Sequence, residues 1–565
     1  MTILLTYIIT KLNIGKNLQL ELINSQSRCL LLILSIVCIL FLSSGIVFSA
    51  QRNSFQPTNK TKDLKQNHLL YLPLDERFTT RDLFLSFAKI TPFHVITPDK
   101  TILPQKKKSP DMKNIVGWTE GAAGKSQAAI ISADMLLYGG LIASRISNDS
   151  LDEIRSRLKI LESIRHRNRL MKIFVSTTIM RMPAYSLAEE EPDYYADYGR
   201  AIFLFSYYSH RYEVSNNAKD KAVAESNKNQ IPKHVLEDYL KRRQRNFTIN
   251  KELINLVKKN VINRLVITLD DNAEYGLFKK EASELEQLAN SFKNRIAIYP
   301  GADEAQLPLL SMLTLGNERI SVYPAYRFPE SRKLIPSFEG QPLEKSVEQQ
   351  IQAAGGKIVN NTEEADCILY VNNFPDKQTF PPKRETSIEN GEPLEIWLER
   401  AGIKSADKKL LIIADNRFYN GADTQLIASI FASKLAPEQI AYAGWNTSGN
   451  TLGSAVALGM LRQKIKKRKE LFQEYKKLLF IRFIEDWVYM TEGREQVRNA
   501  MRERNLTDFA GTEVEKEYES QMKALFNSRS KRINSFLKTN FIVERVFFPW
   551  HRPFEVGLEV GCIHC

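Results

Sequence analysis

One pattern governs what this chain can fold into: a short apolar run leads straight into a polar cluster, and an amphipathic segment follows. The runs are His68–Leu74, Phe93–Thr97, Ala128–Met135, Lys172–Met180, Arg264–Asp270, Arg295–Pro300, Arg319–Tyr323, Asp366–Asn372, Lys409–Asp415 and Gln439–Gly444. Segments such as Leu151–Ile164, Lys251–Val261 and Ala282–Phe292 fall between them with helical spacing. Strands alternating with helices require parallel sheets, because each crossover returns the chain to the same edge. The pattern predicts an α/β protein: a (β/α) barrel-like domain over 68–335, a smaller doubly wound α/β domain over 336–460, and a helical C-terminal region over 461–565. Residues 185–250 hold no strand pattern and predict a helical insertion after the fourth strand.

The first 67 residues follow other rules. Cys29–Ala50 contains no charged residue and is long enough to cross a bilayer, which takes about 20 residues. Lys11, Lys16 and Arg28 precede it, as a cytoplasmic flank should. Residues 1–28 are therefore expected to be a cytoplasmic tail, 29–50 a transmembrane anchor or signal segment, and 51–67 a polar linker. Phe48 is too bulky for a small-x-small cleavage site, which favours an uncleaved anchor. The expected location is the cell envelope, single-pass with the body outside the cytoplasm, or exported if the segment is cleaved.

The net charge of +14 raises the question of nucleic acid. The excess is scattered through Lys106–Lys108, Lys241–Arg245, Lys464–Lys469 and Arg529–Arg532, without interleaved aromatics or a DNA-binding signature. A solvated basic surface is expected, and no nucleic-acid partner. Cys562-Ile-His-Cys565 has no second ligand pair for zinc and no following helix to activate a thiol.

Chemistry is concentrated where the runs end. Leu69–Leu74 leads into Asp75-Glu76-Arg77, and Ile130–Ala133 into Asp134, Tyr138 and Arg145. Ile173–Ile179 leads into Arg181 and Tyr185, Leu265–Leu269 into Asp270, Asp271 and Glu274, and Ile296–Tyr299 into Asp303-Glu304. In the last third, Leu411–Ala414 leads into Asp415 and Ile440–Ala443 into Trp445, Asn446 and Asn450. Carboxyl ends of parallel strands form the ligand face. Any one carboxylate there can equally cap the next helix, but so many charged clusters exceed what capping needs.

Alternation along the strand sets Asp270 with Thr268 and Asn272, and Asp271 with Leu269, so Asp270 is the expected mouth residue. Asp270 with Asp303 or Glu304 can supply the acid and the base or nucleophile of glycoside cleavage. Asp75, Arg77, Asp134, Tyr138, Arg145, Arg181, Tyr185, Asp271, Glu274, Asp415, Trp445, Asn446 and Asn450 are the candidate substrate-binding residues; Trp445, Tyr138 and Tyr185, with Tyr275, can stack on sugar rings, and Asn446 and Asn450 can bind hydroxyls. The expected partner is a polar, saccharide substrate, with no cofactor. The rival chemistry is a divalent cation held by Asp75, Asp134, Asp270 and Asp303, and a third reading is a non-catalytic glycan- or peptide-binding protein. Gly121–Ser126 only imitates a phosphate loop, since a strand follows it.

The stretches LPLDERF (72–78), ISADMLLYGGLIASR (131–145), RMPAYS (181–186), LDDNAEYG (269–276), YPGADE (299–304), NGAD (420–423), YAGWNTSGNTLG (442–453) and PWHRPFE (549–555) together resemble a bacterial family catalogued as domain of unknown function 4127. They span nearly the whole body. The resemblance implies no particular reaction. One departure concerns turn geometry: Phe78 follows Arg77 where the family pattern tends to have Pro.

Overall fold

A computed structural model describes residues 67–382, 392–403, 409–506, 509 and 511–563. The expected anchor at Cys29–Ala50, its flanks and Cys565 lie outside the described residues. Among the described residues, no helix is long and apolar enough to cross a membrane.

All ten expected runs form strands. Strands β1 (Asn67–Leu72), β2 (Phe93–Ile96), β3 (Ala128–Ser132), β4 (Lys172–Ile179), β5 (Arg264–Leu269) and β6 (Ile296–Pro300) make a parallel six-stranded sheet in the order β2-β1-β3-β4-β5-β6. A second parallel sheet contains β7 (Ile320–Tyr326), β8 (Gly356–Ile358), β9 (Cys367–Val371), β10 (Leu410–Ala414) and β11 (Ile440–Ala443), in the order β11-β10-β9-β7-β8. Both have the same winding: the chain leaves the first strand to one side, returns past it, and continues outward on the other. The helical insertion is present as Tyr195–Ser215, Ala218–Asn229 and Lys233–Lys258.

Two expectations are corrected. The first sheet is open, not barrel-like: β2 and β6 are its two edges. Closure needs tilted, staggered strands whose last member pairs with the first. Here β2 is short, and β6 is covered by the helix Leu343–Ala353, whose Gln349 side chain donates to the Ile298 carbonyl at 2.8 Å. The domain boundary also moves, because β7 pairs with β8 and β9 instead of extending the first sheet. The C-terminal region is helical through Leu537, then adds an antiparallel hairpin of β12 (Phe541–Phe547) and β13 (Gly557–Cys562).

Strand alternation explains how the sheets share a core. On β1, Leu70 and Leu72 face an apolar layer built with the helices Met112–Ala123 and Leu151–Arg167. Leu69 and Tyr71 face the other way, into a core continuous with β7, β9, β10 and β11. Strands buried on both faces must be apolar at nearly every position, which is why these runs stand out in the sequence. The two carboxyl ends also approach one another: a Cβ added to Gly449, in the helix after β11, would lie 2.4 Å from the Pro300 carbonyl at the end of β6.

Candidate functional site

Beyond β1 the chain turns at Pro73-Leu74 and buries Asp75 and Arg77. Arg77 is the hub of this corner. It donates to Asp75 at 2.7 Å, to Asp303 beyond β6 at 2.5 Å, and to Glu555 at 3.3 Å. Its guanidinium lies 4.3 Å from the centre of the Trp550 ring. Arg552, from the same C-terminal segment, pairs with both Glu190 and Glu555.

The web continues toward β4 and β5. Arg145 reaches Asp270 at 2.6 Å and Glu190 and Glu191 at 3.2 Å each. Arg181 donates to Glu191 at 2.7 Å, Glu190 at 2.9 Å and Asp271 at 2.7 Å. Strand alternation ends at Leu269, and Asp271 adopts a left-handed φ of 32°, which returns its carboxylate to the same side. Asp270 and Asp271 therefore both join the web, where alternation alone would have chosen Asp270.

Four guanidiniums and seven carboxylates are connected in this way. Solvent reaches them unequally: Asp270, Asp271 and Asp303 side chains are 16%, 28% and 10% exposed, whereas Arg77 and Arg145 are at 3% and 1%. Asp270, Asp271 and Asp303 stand at the mouth, while Arg77 and Arg145 lie beneath them with Asp75, Glu191 and Glu555. The excess of negative charge has a consequence. Burial, then the Arg77, Asp75 and Glu555 charges acting in opposite senses, push Asp303 up to about 7. Burial and the Asp270 charge push Asp271 up to about 6. Glu190 goes the other way, held well below the usual carboxylate range by Arg181, Arg552 and Arg145 against its burial.

Asp75, Arg77, Arg145, Arg181, Asp270, Asp271 and Asp303 are thus brought together, with Tyr185 half exposed beside them. The other candidates stand elsewhere. Asp134 accepts from the Thr178 hydroxyl at 2.8 Å and its N–H at 3.1 Å, tying the turn after β3 to β4. Glu304 turns inward to Gln350 at 3.1 Å and the Ala302 N–H at 3.0 Å, so of the two partners considered for Asp270 only Asp303 is in the web. Tyr138 is buried beneath Arg245, and Glu274 is exposed. Trp445 is buried edge-on to Phe554. Asn446 takes a left-handed turn whose carbonyl accepts from the Asn420 N–H at 2.8 Å, and Asn450 is buried in the first turn of the next helix.

Asp415 belongs to the second sheet. Its carboxylate accepts from Asn372 and the Asp423 N–H at 2.8 Å each and from Tyr442 at 3.2 Å. Asp423 caps the helix Thr424–Ala432 and pairs with Arg327 at 3.0 Å. This arrangement locks strand ends together. Burial, with the neighbouring Asp423 charge, pushes Asp415 up to about 7.

Sequence reasoning missed Glu190, Glu191, Trp550, Arg552 and Glu555. The signals were present, as an acidic run before Pro192 and a Trp-His-Arg-Pro-Phe-Glu segment, but neither stands directly at the end of a first-sheet strand. Trp550 and His551 have φ values of 57° and 52°, strained for side chains of this size, and Trp550 donates to Glu76 at 2.7 Å. Backbone strain is thus retained where the C-terminal segment closes over Arg77.

Among the described residues, no group of three or more His, Cys, Asp or Glu side chains is arranged to hold a metal ion. Each web carboxylate turns onto an arginine instead.

The match that decides the family covers residues 69–559, and hence every segment that builds this web. The chain belongs to the family described as Protein of unknown function (DUF4127). Searches of the curated proteins and of the solved structures each gave no match. Family membership therefore brings no reaction with it, and the chemistry has to be argued from the side chains.

Proposed function

We propose that this protein is an envelope-located carbohydrate-active enzyme, a glycoside hydrolase in which Asp270 and Asp303 are the paired carboxylates. The observation that carries the reading is the orientation of the web. Buried Arg77, Arg145 and Arg181 hold Asp303, Asp270 and Asp271 where solvent reaches them, and carboxylates accept hydrogen bonds from sugar hydroxyls. Asp303, pushed up to about 7, keeps a proton near neutral pH and serves as the general acid at the leaving glycosidic oxygen. Asp270, anchored by Arg145, either attacks the anomeric carbon or takes a proton from the attacking water. In the first case water later releases the glycosyl enzyme, with Asp303 returning as base. Asp271 and Glu190 bind hydroxyls, and Tyr185 offers a ring face beside the mouth. The uncharged segment Cys29–Ala50 with its basic flank supports the envelope location and a membrane partner.

A non-catalytic glycan-binding protein is the second reading. It is favoured by the guanidiniums at 2.5 Å and 2.6 Å, which already occupy one oxygen of Asp303 and of Asp270. Incubating the full-length protein with a panel of cell-wall and exopolysaccharide oligomers separates the two. New reducing ends are expected from the enzyme. Saturable binding without cleavage would favour the second reading, and neither would reject both.

A further inference from the structure

The opposite end of the first sheet has a different character. A cavity of about 860 Å³ runs along β6, on the scale of small-molecule sites. Three arginines that line it mark the amino ends of successive strands: Arg264 opens β5, while Arg295 and Arg319 immediately precede β6 and β7.

Among the described residues, none of the three pairs with a carboxylate. Arg295 donates to the Ile262 and Asn263 carbonyls at 2.5 and 3.2 Å and to the Asn260 side chain at 2.8 Å. Arg319 donates to the Glu318 and Gly316 carbonyls at 2.8 and 3.3 Å. Neutral acceptors fix these guanidiniums without cancelling their charge. The half-buried Arg264 side chain has no protein partner among the described residues. Burial and the repulsion of Arg319 and Arg295 lower its pKa, in keeping with the three lining one cavity. The wall also contains Glu286 and Glu348, but these contact Lys345 and Gln352.

Cations are usually neutralised by nearby carboxylates, as in the web at the other end of this sheet. Three that gather unneutralised at one cavity, two of them held by neutral acceptors, make a site suited to an anion. A single carboxylate offers one charge and two oxygens, too few for three forks. A phosphoryl group offers up to two charges and three oxygens, and matches guanidinium geometry. We propose that this cavity binds a phosphate-bearing anion, with its phosphoryl oxygens held by Arg264, Arg295 and Arg319. Two sources share that chemistry: a soluble phosphate ester and an anionic lipid headgroup.

Isothermal titration of the full-length protein in non-ionic detergent tests this, with pyrophosphate, dioctanoyl phosphatidylglycerol and dioctanoyl phosphatidylcholine as probes. Saturable binding of an anionic probe at one site is expected. Binding should weaken about tenfold or more in Arg264→Gln and in Arg319→Gln, because each removes a charge-assisted bond. Arg319 is exposed and, among the described residues, bonds only to the nearby Gly316 and Glu318 carbonyls, so its variant should fold even if Arg264→Gln does not. Pyrophosphate binding would identify a soluble phosphate, and binding of phosphatidylglycerol alone a lipid headgroup. The proposal is overturned if neither anion binds, if Arg319→Gln binds as the wild type does, or if phosphatidylcholine binds as tightly as phosphatidylglycerol.

Discussion

At the end of β10, Asp415 is sealed among Asn372, Tyr442 and the Asp423 N–H. Just past the end of β5, Asp270 is gripped from below by Arg145 and left open to solvent on its other side. The sheets are wound alike, and the same sequence signature, an apolar strand ending in Asp-Asp or Asp-Asn, produced both arrangements. The difference lies in what else arrives. The second sheet closes its own strand ends, with a helix cap and an arginine from its own strands. The first sheet receives Glu190 and Glu191 from the loop before the helical insertion, and Arg552 and Glu555 from the far C-terminus. Burial, with the negative charge gathered there, raises Asp303 to about 7 and Asp271 to about 6. One crevice became a lock and the other a mouth.

Substitutions should separate the two sharply. On a cleaved oligomer, Asp270→Asn or Asp303→Asn should lower kcat by roughly a thousandfold, the scale of a lost acid–base group, with little change in thermal stability. Near-normal turnover in either variant would make the mouth another lock. Asp415→Ala should do the reverse. It leaves buried donors unsatisfied and should cost roughly 2–3 kcal/mol in chemical denaturation, while turnover per folded molecule stays near wild type.

Acidity sharpens the contrast by a smaller amount. Asp303 has its folded-state pKa raised from 3.8 to about 7, so between those values the folded state holds a proton that the unfolded state has lost. Its contribution to stability therefore falls as pH rises from about 4 to about 7, at up to about 1.4 kcal/mol per pH unit. Glu304, Asp134 and Asp415 act in the same direction, each raised to about 7. Asp303→Asn should flatten that slope measurably in denaturant titrations at several pH values, and an unchanged slope would show that Asp303 ionises normally. The smallest effect belongs to Tyr185. Its replacement by Ala should weaken oligomer binding by about 0.5–1 kcal/mol with little change in stability, since the residue is 40% exposed.

Much of this architecture was legible in the sequence because parallel strands buried on both faces leave uninterrupted apolar runs. Every strand of both sheets except three-residue β8 announced itself in this way. Sheet closure was not legible, since an open sheet and a barrel need the same local alternation; only the pairing of β7 decided it. Within the site, residues that directly follow a first-sheet strand were found, notably Asp75, Arg77, Arg181, Asp270 and Asp303. Trp445 and Asn450 look identical at that level, yet they are buried where the second sheet packs on its neighbours. Arg552 and Glu555 were invisible because they reach the web across long separations, Arg552 and Glu190 being 362 residues apart, and Glu190 because it sits nine residues beyond Arg181 in a loop, past the strand end.

The most direct test is the pH–rate profile of oligomer cleavage by the wild-type protein and by Asp303→Asn. The wild type should lose activity on the alkaline side with a midpoint near 7, as Asp303 gives up its catalytic proton. Asp303→Asn should retain only a small residual rate without that alkaline limb. Wild-type rates with the same alkaline limb in the variant would contradict Asp303 as the acid, and with it the mouth of the first sheet as the seat of chemistry.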